Sequence, residues 1–145
     1  MENKIIALRA TLLILIGAIG SMIANLFGGW SNDLTTLLIF MTIDFVTGLL
    51  VAGVFKKSKK TKNGALQSKI GFIGLAKKVM ILFLVLVGYR LDLLFGSDYI
   101  RTALVIAFIC NETISITENA GLMGVPIPKP IKNAIDILKS KEDDK

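Results

Sequence analysis

Apolar residues in this chain come in long unbroken blocks, not in the alternation of a strand or the stripe of a surface helix. Between Ala10 and Asn32 no residue is charged. A second block covers 34–55, interrupted only by Asp44. A third covers 79–94 and is apolar until Arg90 and Asp92, and a fourth covers 100–116 with Glu112 inside it. Crossing the hydrocarbon core takes a helix of about 20 mainly apolar residues. The pattern therefore predicts an all-α integral membrane protein, a single membrane domain with four transmembrane helices over 10–28, 34–55, 79–94 and 100–116. A chain with three spans is the alternative. Ala18-Ile19-Gly20 also resembles a small-residue cleavage site, but Met22, Ile23, Leu26 and Phe27 prolong the apolar run beyond a signal peptide.

Charge adds orientation. The formal net charge is +6, and the basic residues sit between the blocks. The connection over 56–78 holds eight lysines and no acid. Lys4 and Arg9 precede the first span, residues 29–33 carry no base, and five lysines follow from Lys129 onward. Under the positive-inside rule, both termini and the lysine loop face the cytoplasm. Four spans satisfy that arrangement; three put the C-terminal lysines outside. The lysines need no further role than setting topology and attracting anionic membrane lipids. A nucleic-acid surface, which interleaves bases with aromatics on a polar face, is not the pattern here. With no histidine and the single cysteine Cys110, the chain offers no imidazole site and no disulfide. No cofactor, metal or catalytic residue is expected.

Several residues are costly or unusual where they stand. Gly20, Ala24 and Gly28 recur at every fourth position of the first span, a row that lets helix backbones approach closely in lipid. Gly is also simply frequent in membrane helices. Asp44 lies mid-span, where a charged side chain costs roughly 2.5–3.5 kcal/mol. Gly48 and Ala52 follow it on the same face, giving a candidate assembly or pore-lining seam. In the fourth span Glu112, Ser115 and Asn119 form a polar stripe: either it is buried in a bundle or pore, or the helix emerges into water there. Gly71, Gly74, Lys77 and Lys78 lie just before the third span, and no strand precedes them to make a phosphate loop. Beyond Gly121 and Gly124, Pro126 and Pro128 enforce an extended segment. Ile131, Ala134, Ile135 and Leu138 then predict a short amphipathic interfacial helix over 129–139, with a disordered charged tail over 140–145.

Four stretches in this order resemble one family. They are Asp44-Phe45-Val46-Thr47-Gly48-Leu49-Leu50, residues 68–78 with their two glycines and Lys77-Lys78, Asn111-Glu112-Thr113-Ile114-Ser115-Ile116, and residues 119–129 ending in Gly124-Val125-Pro126-Ile127-Pro128-Lys129. Together, over about residues 40–135, they resemble the toxin-secretion/phage-lysis holins of Gram-positive bacteria and their phages. The resemblance implies a homo-oligomer that forms lesions in the cytoplasmic membrane, through which an endolysin or a large protein toxin leaves. It supplies no catalytic residue. Asp44, Gly48, Gly71, Gly74, Glu112, Ser115, Pro126 and Pro128 carry over as motif positions only.

Two other classes fit parts of the pattern. A small four-helix proton-coupled transporter would use Asp44 or Glu112, with Trp30 or Tyr89 to hold a cation. An intramembrane aspartyl enzyme would pair Asp44 with Asp92. Asp92 stands beside Arg90 near a span end while Asp44 is central, so their depths disagree.

Overall fold

The computed structural model describes the backbone of residues 2–143, and side chains for Glu2 and residues 4–137. Among these residues there are five helices and no strand: α1 Glu2–Leu26, α2 Asn32–Gly53, α3 Ser68–Phe95, α4 Ile100–Leu122 and α5 Lys129–Asp143. The first four are long and apolar enough to cross a membrane. This is an all-α membrane protein.

Helices α2, α3 and α4 form the packed unit. Contacts of residues 31–33 with Arg101, and of Asp44 with Ser115 and Asn119, show that α2 and α4 run parallel. Helix α3 runs antiparallel between its sequence neighbours, as alternating spans require. Each helix turns a row of alternating three- and four-residue steps inward: Leu34, Leu37, Met41, Asp44, Gly48, Val51 on α2; Gly74, Lys78, Ile81, Val85, Gly88, Asp92 on α3; Val105, Phe108, Glu112, Ser115, Asn119, Leu122 on α4. All of these positions are buried or half-buried. Such spacing is the signature of left-handed helix packing, in membranes as in water. Leu34, Leu37, Met41, Val85 and Val105 form the apolar core at one end, with Phe27 packed against it. Gly88 lets α3 and α4 touch, since a Cβ there would stand 2.6 Å from Leu104 Cδ1 and 3.2 Å from Arg101 Cα.

Asp92 ties the α3–α4 turn. Gly96 ends α3 in the left-handed conformation (φ 64°). The Asp92 carboxylate then accepts hydrogen bonds from Ser97 Oγ, from Ile100 N at 3.0 Å and from Arg101 N at 2.8 Å. Those two amides begin α4 and have no partner within the helix, so a carboxylate there satisfies them and complements the helix dipole. From the first turn of α4, Arg101 reaches back to Asp33 Oδ2 (3.3 Å) and Ser31 Oγ (2.6 Å).

Helix α1 ends earlier than its apolar block predicts. Gly28 N bonds Asn25 O and Gly29 N bonds Ala24 O, the pairing of a Schellman turn. Gly28 takes φ +83°, and its missing side chain admits the Tyr89 ring, 2.5 Å from where a Cβ would be. The expected row Gly20, Ala24, Gly28 is therefore broken: Gly28 lies outside the helix and packs on α3. Nothing stands within 4 Å of a Cβ at Gly20. Among the described residues, none of the apolar window of α1 is buried.

Helices α3 and α4 are longer than their apolar blocks. The block predicts a helix over 79–94 after a loop over 56–78, whereas α3 begins at Ser68. Backbone hydrogen bonding continues where side-chain hydropathy stops, and 28 residues make about 42 Å of helix against a hydrocarbon core of about 30 Å. Helix α4 likewise passes 116 to Leu122. After Gly124 (φ 90°) and the two prolines, α5 continues to Asp143, so residues 140–143, expected to be disordered, extend the helix. Residues 144–145 lie outside the described residues. On α5, Ile135 is buried while Ile131 and Ala134 are exposed; the Leu138 side chain lies outside those described.

Candidate functional site

The polar residues of the inward rows meet at one level of the bundle. Asp44 sits about 18 Å along α2 from Asn32. Lys78 Nζ lies 2.9 Å from Asp44 Oδ2 and 2.6 Å from Glu112 Oε2, so one ammonium bridges two carboxylates from three helices. Ser115 Oγ donates to Asp44 Oδ1. Asn119 Nδ2 donates to the same oxygen at 3.1 Å and to Thr47 Oγ1 at 3.0 Å. Thr47 in turn donates to Ile43 O one turn back. The three charged side chains are only 12% (Lys78), 14% (Asp44) and 4% (Glu112) exposed. At that burial their mutual attraction is weakly screened, and removing any one leaves the others without compensation.

Beside this network is a cavity of about 440 Å³. The connection between α2 and α3 covers it, through Ser58, Lys59, Lys60 and Thr61. Phe45, Leu49, Ile81 and Phe108 supply apolar wall, and Asp44, Lys78, Glu112 and Ser115 line its polar side. Gly48, Gly71 and Gly74 also border it. A Cβ at Gly71 or Gly74 would meet nothing within 4 Å, so the absence of side chains there leaves the space open.

Sequence comparison gives this arrangement a family. The model of the bacteriophage holin family matches residues 21–140, which includes every residue of the network and of the cavity. The chain belongs to the bacteriophage holin family. A probable holin of Bacillus phage phi105 is 32% identical over 123 residues, covering 84% of each chain. An uncharacterised Clostridium perfringens protein is 35% identical over 145 residues, 99% of this chain and 98% of its own. Another, from Halalkalibacterium halodurans, is 38% identical over 130 residues, 86% and 90% of the two chains. No solved structure matches the chain.

Among the residues singled out in this holin-family sequence, Asp44, Gly48, Ala52, Glu112 and Ser115 all line the one cavity, together with Gly71, Gly74, Lys77 and Lys78. Lys78 is the member that hydropathy alone does not find. It reads as the last of eight loop lysines, yet it stands on the inner face of α3, four residues after Gly74 and three before Ile81. Lys77, one step round the helix, is exposed. Gly20 and Ala24 lie on α1, away from this site, and Gly28 packs on Tyr89. Pro126 and Pro128 lead into α5, where Pro128 O accepts from Ile131 N and Lys132 N. Asp92 is fourteen residues beyond Lys78, about 21 Å along α3. It serves the α3–α4 turn and forms no dyad with Asp44.

Proposed function

We propose that the protein is a holin in action as well as in family. On this reading it accumulates in a bacterial cytoplasmic membrane, associates with further copies of itself, and opens lesions that release an endolysin or a large protein toxin, without catalysing a reaction. Family membership over residues 21–140 carries the proposal. The buried network supports it: membrane helices seldom retain three charged side chains without a functional demand on them. A proton-coupled transporter is less well served, because Lys78 already engages both carboxylates such a carrier would use.

Expression in a bacterium that also makes a cytoplasmic endolysin without a signal sequence tests this. The expected result is abrupt lysis after a fixed delay. Continued growth with the protein verified in the membrane would overturn it.

On the same reading both termini and residues 56–67 face the cytoplasm. With Cys110→Ala as background, Ser58→Cys and Ser140→Cys should both resist an impermeant thiol reagent in intact cells and react in opened ones. Labelling of either in intact cells would refute that orientation.

A further inference from the structure

The cavity beside the ion network has chemistry that the network does not use. Of its three acids, Asp44 accepts from Lys78, Ser115 and Asn119, Glu112 accepts from Lys78, and Glu118 stands exposed at the edge. Its outer lysines form no direct ion pair, although Lys60 is near enough to Asp44 to attract its carboxylate. Lys59, Lys60 and Lys77 line the cavity, and among the described residues no acid forms an ion pair with any of them. Thr61 Oγ1, on the same wall, is buried with no hydrogen-bond partner among the described residues. Three cationic donors at the mouth, with the unpartnered Thr61 hydroxyl buried behind them, favour an anion. The walls behind them, Phe45, Leu49, Ile81 and Phe108, favour a hydrocarbon.

Position narrows the ligand further. Helix α3 is about 12 Å longer than the hydrocarbon core, so the turns before Lys78 approach the headgroup region. A ligand reaching this mouth from the bilayer has a charged head at that level and an apolar tail below it. Basic pockets between membrane helices hold anionic lipid headgroups on this principle, and about 440 Å³ lies within the ordinary range of small-ligand sites.

We propose that this cavity binds one anionic phospholipid, its phosphate held by Lys59, Lys60, Lys77 and the Thr61 hydroxyl, its glycerol and upper acyl chain lying along Phe45, Leu49, Ile81 and Phe108. Gly71 and Gly74 are then the residues that keep the site open. The assignment stands apart from lesion formation and is tested by binding alone.

The full chain, purified in neutral detergent, is offered phosphatidylglycerol, phosphatidylcholine or inorganic phosphate, and retained lipid is counted by native mass spectrometry. One phosphatidylglycerol per chain is expected, retained at least about tenfold better than phosphatidylcholine, with inorganic phosphate a poor competitor. Neutralising Lys59 and Lys60 to glutamine should weaken retention by about fivefold for each lysine. Gly74→Leu, which fills the cavity, should abolish it with helix content unchanged; Gly71→Val serves the same end if that variant fails to fold. Lys69→Gln, outside the cavity, should bind as the parent does. Equal retention of the two lipids, or undiminished retention in the filled variants, would overturn the proposal. Displacement by equimolar inorganic phosphate would show a simple anion site and would overturn it equally.

Discussion

Lys78→Met is expected to deplete the protein from the membrane fraction and abolish lysis. The substitution keeps a long unbranched side chain on α3 but leaves Asp44 and Glu112 facing each other with no cation between them. Removing one partner of a buried ion pair costs roughly 3–5 kcal/mol, mostly through the charge left uncompensated. Here two carboxylates are left, so the upper end of that range applies. Lys77→Met deletes the same charge one residue away, from an exposed position, and should leave thermal stability in detergent close to that of the parent. A variant that also carries Asp44→Asn and Glu112→Gln has no buried charge and should recover much of the lost abundance. Membrane abundance by immunoblot and thermal midpoints of the purified chains measure all three. Equal midpoints for Lys78→Met and Lys77→Met would show that the bridge contributes nothing to the fold.

That contrast between neighbouring lysines marks what was legible in the sequence. Hydropathy located all four spans, because an apolar block of this length has few other uses. It misplaced the start of α3 by about ten residues, because it treats every lysine as a sign of water. Helical phase carries the missing information. Stepping back from Val85 by four, three and four residues passes through Ile81 and Lys78 to Gly74, whereas Lys77 falls off that row. Parallel rows through Asp44 on α2 and Glu112 on α4 place one cation and two acids on inward faces. Their meeting at one level depends on helix direction and on the tight α3–α4 turn, which are tertiary facts. The acids were visible as candidates; the cation that joins them became visible only with the packing.

The end of α1 illustrates the opposite error. Gly20, Ala24 and Gly28 have the spacing of a helix–helix seam, but spacing is meaningful only while the helix lasts. Gly28 and Gly29 are adjacent residues without Cβ atoms, and both take positive φ. A helix reaching them meets a natural stop, so the third member of the row becomes a turn residue under Tyr89. The cue was the glycine pair itself, a common helix terminator.

Asp44 and Glu112 share Lys78 but are not equivalent, and lysis timing should separate them. Glu112 accepts one hydrogen bond in the network, from Lys78, whereas Asp44 also accepts from Ser115 and Asn119. Asp44→Leu therefore strands the Ser115 hydroxyl and weakens the hold on Asn119, which keeps Thr47. Each stranded buried donor costs about 1–3 kcal/mol beyond the lost ion pair. Asp44→Asn preserves size and one acceptor oxygen but turns an amide NH2 toward groups that are themselves donors. In cells supplying a cytoplasmic endolysin, Asp44→Leu is expected to abolish lysis or delay it severely. Asp44→Asn should still lyse, at an altered time. Glu112→Gln, which keeps an oxygen for Lys78 and disturbs neither Ser115 nor Asn119, should stay nearest to the parent. Abundance must be matched by immunoblot so that onset reports assembly and not supply. Normal onset for Asp44→Leu at matched abundance would mean that the network is tolerated and not used, and a Glu112→Gln defect exceeding that of Asp44→Leu would reverse the assignment of Asp44 as its hub.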